Sequence, residues 1–374
     1  MYGDFDKYIN YVPVVLIALT LTLVITPAVM KIARMIDAVS RPQKLRDKNE
    51  RGYQTHIHEN IVPKLGFIPV VLSIFIFVPI FLTLNVQISA IILALGLMTI
   101  FGILDDKYNL SGIMQFGLLS LCALLVIFAG INITEANNPF TNSFLNFDRG
   151  RMMIQIWDEI ISFNLLSVVV SFIWFMIVIN AINWNDGVDG VLNGTVSIAA
   201  LIILLVSIRE GNMTTAVFSA LLLGANIGLL RYNFYPARIF NSYGGQISGF
   251  LIAALSIMSN VKLSIAVLII LFPLFDFAWV LLGRIRRLKP KSPIQLFSIL
   301  NVSDTTHLHH RLMKMGYGKR RIAIIEYSCA FAAGLAAILL SGLELTFVIL
   351  SSVFIVLLIF IFLDKMVKIR KQHA

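Results

Sequence analysis

The segment from Asn180 to Gly190 places two acids, three asparagines and two glycines at the end of a long apolar stretch. Asn180, Asn183 and Asp186 recur every three residues, so a helix that continues to this point would present them on one broad face. Such oxygen donors can bind a metal ion. An acid at a membrane edge is costly unless a cation or a hydrogen-bond donor meets it. The spacing therefore predicts a functional site.

The glycines in the same segment predict how that helix ends. Gly187 and Gly190 would release the helix and allow a ligand to approach the backbone closely, and they would carry Asp189 into the turn. The alternative is that these polar residues only cap two short helices.

Two further groups of residues could take part in the same chemistry. Asp105 and Asp106 are adjacent carboxylates, which suit Mg²⁺ together with substrate phosphates, although such a pair can also be a solvated helix end. A later basic segment contains Arg284 and then three histidines and an arginine, at His307, His309, His310 and Arg311.

Histidine and arginine side chains can donate hydrogen bonds to a diphosphate, and a bound anion would favour protonated histidine. A zinc site is the alternative for the histidines, but no cysteine lies near them. Most of the basic residues are also explained by membrane topology alone. Asp276, within an apolar run, is either part of the site or the partner of a basic residue in helix packing.

Composition places these residues in a membrane protein. The chain has 374 residues, of which 58% are hydrophobic and 13% charged, and its mean hydropathy is +0.86. About 20 apolar residues cross a bilayer as a helix. We therefore predict an all-α, polytopic protein with a single domain over residues 1–374 and eleven membrane helices. The predicted helices start near Tyr11, Ile61, Val86, Ser111, Ser162, Val191, Met213, Tyr243, Lys262, Ile322 and Glu344.

Basic residues predict the orientation, because they are retained on the cytoplasmic side. An external N-terminus and a cytoplasmic C-terminus leave only five of the 30 lysines and arginines outside. All the polar groups then face the cytoplasm, where one active site would be formed by loops 34–60, 105–110, 183–190, 231–242 and 284–321. The net charge of +10 lies mainly in these loops and favours membrane lipid and an anionic substrate over nucleic acid. External residues 132–164 would form a hairpin or an amphipathic interfacial segment around 154–161.

Five strings occur in an order typical of one family: GILDDKYNLS, NAINWNDGVDGVLNG, NFYPARIF, FPLFDFAWVLLGRIRRLKPKSP and HLHHRL. The chain resembles the polyprenyl-phosphate N-acetylhexosamine-1-phosphate transferases, the WecA, TagO and MraY-like group of glycosyltransferase family 4, from about residue 37 to 321. DDKYNLS and the histidine loop are more similar to the WecA and TagO branch, which starts teichoic-acid, lipopolysaccharide or other surface-glycan synthesis.

The resemblance implies transfer of a sugar-1-phosphate from a UDP-N-acetylhexosamine, with N-acetylglucosamine expected, to undecaprenyl phosphate at the cytoplasmic face of the plasma membrane. UMP would be released, Mg²⁺ or alternatively Mn²⁺ would be the cofactor, and a homodimer is compatible with it. The lipid phosphate would attack directly, although a phospho-aspartate intermediate is conceivable.

The resemblance also implies roles for individual residues. The metal would be bound by Asn183 and Asp186. The catalytic group would comprise Asp105, Asp106, Asp186 and Asp189. The substrate would be bound by Asn180, Arg284, His307, His309, His310 and Arg311.

One departure from the family concerns the metal. Relatives have a Gly-Asp-Ser/Thr-Gly-Ser type segment after the residues that match Phe240, whereas this chain has Asn241–Gln246 without an acid. Asn241, Ser242 or Gln246 could supply a neutral oxygen, but Mg²⁺ binding should be weaker. Phe67 also replaces a family glycine. A degenerate homologue that acts as a scaffold or lipid binder is therefore an alternative, and a transporter is a more distant one because no internal repeat is evident.

Overall fold

The computed structural model describes residues 7–42, 60–137, 144–147, 151–156, 159–259, 263–289, 306–340 and 342–372. The expected all-α architecture is confirmed. The long helices are α1 Val12–Met35, α2 Phe67–Phe81, α3 Val86–Tyr108, α4 Gly112–Phe128, α5 Leu165–Trp184, α6 Val191–Arg209, α7 Met213–Asn233, α8 Gly244–Met258, α10 Leu271–Leu288, α12 Lys319–Leu339 and α13 Gly342–Gln372. Two short helices are α9 Leu263–Ile269 and α11 Leu308–Lys314.

Seven helices in the described ranges are long and apolar enough to cross a membrane, namely α1, α3, α5, α6, α7, α12 and α13. Helices α2, α4 and α8 are apolar but shorter. Each of the eleven predicted runs contains a helix, but the ninth is interrupted at Ile270 between α9 and α10. Pro273 lies in the first turn of α10 and has no N–H with which to continue the hydrogen-bond ladder.

Helices α6, α7 and α8 form the centre of the bundle, and most of their residues are buried. Helix α1 packs along α7, where Gly224 and Gly228 face the backbone of α1 without a side chain between them. Helix α5 packs on α8 through Gly249, and α12 packs on α6. These contacts bring the ends of α5, α6, α7 and α8 together, which is where the polar motifs lie.

The described residues also form three pairs of short strands. Strand β1, Val39–Ser40, pairs antiparallel with β2, Val62–Pro63, which is why α2 begins six residues after the predicted start at Ile61. Strands β3, Glu135–Asn137, and β4, Phe144–Asn146, form a second pair. Strands β5, Arg151–Ile156, and β6, Glu159–Asn164, form a hairpin. The hairpin expected within residues 132–164 is therefore confirmed.

Candidate active site

The turn between α5 and α6 is held by its neighbours on both sides. Gly190 has a φ of 84°, a left-handed conformation in which glycine has no side-chain strain. Its N–H donates to Asn233 Oδ1 at 3.0 Å, and its carbonyl accepts from the Tyr327 hydroxyl at 2.6 Å. Helices α7 and α12 therefore fix the turn that carries the two acids.

The two acids of this turn differ in their surroundings. Asp189 Oδ2 accepts from the backbone N–H of Ala237 at 3.1 Å, and Asp189 Oδ1 lies 3.9 Å from Lys319 Nζ. Asp186 has no side-chain hydrogen bond or ion pair with any residue in the described ranges. Desolvation and then the nearby Asp189 raise the pKa of Asp186 to about 7. Asp186 is thus a carboxylate whose charge a bound cation would compensate.

The histidine segment packs directly on this turn. A Cβ added to Gly187 would lie 2.0 Å from the His309 ring, so only glycine allows the imidazole this close. His309 also stacks on His307 at 5.5 Å and lies 4.4 Å from His310, between ring centroids. Burial, and then the neighbouring histidines, lower the pKa of His309 well below its usual value, so without an anion this ring is neutral.

His307 and Arg284 are two further predicted substrate ligands that contact each other, and His307 also contacts Asp276. His307 Nδ1 lies 2.8 Å from Asp276 Oδ2, and Arg284 Nη2 lies 3.4 Å from His307 Nε2. The Arg284 guanidinium lies over the ring of Trp184, 4.2 Å from its centroid. Asp276 therefore belongs to the site region, where it partners the histidine segment.

Arg311 points in another direction. Its Nη1 lies 2.7 Å from Asp364 Oδ1 in α13, and its guanidinium lies near the rings of Trp279 and Phe360. Its Nε donates to the carbonyl of Thr306 at 2.6 Å. These contacts fasten α11 to the last helix, so the predicted substrate contact of Arg311 would compete with them.

Asn180 and Asn183 lie on the last turns of α5. Asn180 Nδ2 donates to the carbonyl of Met176 at 2.7 Å, one helical turn earlier. Asn183 lies against α8, where a Cβ added to Gly245 would be 2.7 Å from Asn183 Oδ1. Asn183 is adjacent to the turn of Asp186, as the three-residue spacing predicts.

Asp105 and Asp106, at the end of α3, are both paired with protein groups. Asp105 Oδ1 accepts from the Leu110 N–H at 2.9 Å and from Gln115 Nε2 at 3.0 Å. Asp106 is buried, and its Oδ1 accepts from the Ser242 hydroxyl and lies 3.5 Å from Lys64 Nζ. Lys64 was not among the predicted site residues, because it resembles an ordinary loop cation until the fold places it beside Asp106.

A sequence model of glycosyl transferase family 4 matches residues 88–260, from α3 to the end of α8. The chain is also 27% identical to a probable undecaprenyl-phosphate N-acetylglucosaminyl 1-phosphate transferase of Bacillus subtilis (strain 168), over 96% of this chain and 92% of the relative. The chain is therefore similar to glycosyl transferase family 4. The resemblance of the five motifs to this family is confirmed.

Two other relatives match over shorter lengths. A phospho-N-acetylmuramoyl-pentapeptide-transferase of Clostridioides difficile (strain 630) is 26% identical over 68% of this chain and 76% of the relative. A decaprenyl-phosphate N-acetylglucosaminephosphotransferase of Mycolicibacterium smegmatis (strain ATCC 700084 / mc(2)155) is 27% identical over 64% of this chain and 59% of the relative.

The segment Asn241–Gln246, in which the resemblance leads one to expect an acid, makes internal contacts. Asn241 Nδ2 donates to Asn193 Oδ1 at 2.7 Å, Ser242 donates to Asp106, and Tyr243 is buried against Phe67. Asn241 Oδ1 and Gln246 Oε1 are buried oxygens without a hydrogen-bond partner. Ser242 is thus already engaged, whereas the two amide oxygens could each accept a hydrogen bond or meet a cation.

The part of the chain that the structure describes contains no group of three histidine, cysteine or acidic side chains that could hold a metal. Mg²⁺ needs less than this, because one or two carboxylates suffice when substrate phosphates and water complete its shell. The side chains of Asn183 and the uncompensated Asp186 are hard oxygen donors, and the two residues are one turn apart in the chain. This pair fits a weakly held Mg²⁺ and does not fit zinc, which prefers nitrogen and sulfur ligands.

Sequence reasoning missed a buried network of asparagines and one acid. Asn233 Oδ1 accepts from Asn193 Nδ2 at 3.0 Å, and Asn233 Nδ2 donates to the carbonyl of Ile239 at 2.8 Å. Glu326 in α12 is buried close to Asn185 and Asp276. The signal was present, because each of these residues is polar within or next to an apolar run.

Proposed function

We propose that this protein transfers N-acetylhexosamine-1-phosphate, with N-acetylglucosamine the expected sugar, from a UDP-sugar to undecaprenyl phosphate. The reaction releases UMP and starts a cell-wall or surface glycan. The names of the Bacillus and Mycolicibacterium relatives support this substrate class. The observation that carries the proposal is the uncompensated Asp186 carboxylate, placed beside Asn183 and under His309 where membrane helices end.

The chemistry joins two polyanions. An oxygen of the lipid phosphate attacks the sugar-linked phosphorus of the UDP-sugar, and the bond from that phosphorus to the bridging oxygen breaks as UMP leaves. A phosphate monoester is already ionised, so the attack needs no strong base. Catalysis therefore depends on alignment and on offsetting negative charge. Mg²⁺, or Mn²⁺ in its place, would be held by Asn183 and Asp186 and would neutralise phosphate charge.

Residues of the histidine segment would bind the nucleotide side. His309 and His310 are buried next to the Asp186 turn, and each imidazole can donate a hydrogen bond to a diphosphate oxygen. Asn180 would lie at the edge of this region. Asp189 would act by holding the turn in place through Ala237.

The lipid phosphate would be positioned at the end of α3. Asp105 and Asp106 lie there with Lys64, the cation that can offset the charge of an incoming phosphate. We propose that this end of the bundle faces the cytoplasm in a multi-pass plasma-membrane protein with an external N-terminus. The support is the concentration of basic residues in the loops of this end.

The test is a transfer assay with purified full-length protein in detergent. Radiolabelled UDP-N-acetylglucosamine and undecaprenyl phosphate are incubated with Mg²⁺ or with EDTA, and lipid-linked label and UMP are counted. We expect metal-dependent product that is lost in Asp186→Asn. Folded protein that forms no product with any UDP-N-acetylhexosamine would favour the degenerate homologue. Label that stays on the protein with UDP-sugar alone would instead indicate a phospho-aspartate route.

A further inference from the structure

Three ionisable side chains form a buried chain behind the candidate active site. Asp276 and Arg284 are both on α10, two helical turns apart, and His307 precedes α11. Asp276 and Arg284 are each 3% exposed, and His307 is 8% exposed. Asp276 also accepts from the backbone N–H of Leu308 at 2.7 Å, so it fixes both the His307 ring and the start of α11.

The contacts determine which nitrogen of His307 carries the proton. Arg284 can only donate hydrogen bonds, so His307 Nε2, 3.4 Å from Arg284 Nη2, must be the acceptor. The proton then lies on Nδ1, which donates to Asp276 Oδ2 at 2.8 Å. The imidazole thus lies between a buried carboxylate and a buried guanidinium, and both of its nitrogens contact protein groups.

The far end of this chain is Trp184. The Arg284 guanidinium covers one part of the indole, 4.2 Å from its centroid, and Phe277 contacts the ring at 4.8 Å between centroids. Trp184 is the last residue of α5 and directly follows Asn183. Arg284 and Phe277 therefore hold the last residue of α5 from its side chain, next to Asn183 and two residues before Asp186.

We propose that Asp276, His307 and Arg284 are positioning residues that clamp Trp184 and thereby hold Asn183 and Asp186 in their working geometry. This inference deepens the proposed function and rests on it. It differs from the expectation that Arg284 and His307 bind the diphosphate directly. A guanidinium that is 3% exposed would have to leave both Trp184 and His307 to reach a substrate phosphate.

The experiment compares Arg284→Gln, Trp184→Leu and the double variant, with Arg284→Lys as the conservative control because it keeps a cation over the indole. Three quantities are measured on full-length protein: kcat for transfer, the affinity for UDP, and the affinity for Mn²⁺ from its electron paramagnetic resonance signal. Thermal unfolding checks that each variant is folded. A variant that does not fold is replaced by Asp276→Asn, which keeps an acceptor in place.

We expect kcat to fall about tenfold to a hundredfold in each single variant, because small displacements of catalytic groups have effects of this size. The double variant should lose no more than the worse single variant, since both changes release the same clamp. Mn²⁺ affinity should fall in parallel and recover in part in Arg284→Lys. UDP affinity should stay within about twofold of the wild type.

A different pattern would overturn the inference. If Arg284 binds the diphosphate, UDP affinity falls about tenfold in Arg284→Gln with unchanged Mn²⁺ affinity, and the effects of the two substitutions on kcat multiply. Failure of the proposed function is distinguishable, because the wild type would then form no lipid-linked product. A wild type that binds neither UDP nor Mn²⁺ would overturn both proposals.

Discussion

The carboxylates at the ends of α3 and α5 lie in opposite electrostatic surroundings. Asp105 and Asp106 receive hydrogen bonds from Leu110, Gln115 and Ser242, and Lys64 lies beside Asp106. Asp186 has none of these contacts with the described residues, and its pKa is raised to about 7. The α3 acids therefore have donors and a cation on the protein, although Asp106 Oδ2 lacks a hydrogen bond, whereas Asp186 has no such partner among the described residues. We therefore propose that the acids at the end of α3 orient the lipid phosphate, whereas Asp186 after α5 binds the cation.

Among the substitutions that test this contrast, Asp186→Asn should have the largest effect on the rate of transfer. The substitution removes the carboxylate that has no protein partner among the described residues, so lipid-linked product should form about 10²- to 10³-fold more slowly, the loss typical of a group that stabilises transition-state charge. Initial rates at saturating Mg²⁺ measure it.

Asp189→Asn is the matched change for Asp186→Asn, because an asparagine oxygen can still accept from Ala237. Its rate should fall about tenfold, an effect of roughly 1.4 kcal/mol for a lost charged contact. Equal losses in the two variants would contradict the assignment of different roles to the two acids.

Gly187→Ala should have the next largest effect. The new methyl group would collide with the His309 ring, which must move away from the Asp186 turn. We expect transfer to slow about tenfold to a hundredfold, with a larger KM for the UDP-sugar. Gly117→Ala is the control, because a Cβ at Gly117 meets nothing within 4 Å. Similar rates in the two variants would exclude a role for close packing of His309.

Lys64→Met tests whether the cation beside Asp106, at the end of α3, contributes to the use of undecaprenyl phosphate. Asp106 would keep Ser242 but lose its adjacent cation, so we expect about a tenfold fall in kcat/KM for undecaprenyl phosphate, equivalent to roughly 1.4 kcal/mol. The KM for the UDP-sugar should not change. Lys107→Met removes the same charge from an exposed position on α3, and its rate should stay within about twofold. If only the KM for the UDP-sugar changed, the end of α3 would serve the UDP-sugar and not the lipid phosphate.

Asp364→Asn should have the smallest effect. It breaks the ion pair with Arg311 outside both acid regions, and the partly exposed Asp364 should contribute no more than about 1 kcal/mol. We expect a slightly lower apparent Tm and an unchanged KM for the UDP-sugar. A lower KM would mean that Asp364 restrains Arg311 from binding substrate, as the motif originally indicated.

The helices and the position of the Asp186 turn were predictable, because apolar run length and three-residue spacing depend only on local sequence. The break at Ile270 was missed although Pro273 is visible in the sequence, because proline near a helix start can also be accommodated without a break. The similarity to family 4 was predictable from ordered motifs.

The partners of the site residues were not predictable. Contacts such as Lys64 with Asp106, or Asn241 with Asn193, join residues 42 and 48 positions apart in the chain. Only the packing of several helices and loops decides them. The same holds for the contrast between Asp186 and Asp189, which are chemically identical and differ only in what the fold places beside them.

The pairing of β1 with β2 fixes the backbone next to Lys64. Val39 pairs with Pro63 and Ser40 with Val62, and the Phe240 N–H donates to the carbonyl of Pro63 at 2.9 Å. Lys64 directly follows β2, so these backbone hydrogen bonds hold the lysine beside Asp106. A substitution that weakens the strand pair should therefore displace this cation although the lysine itself is unchanged.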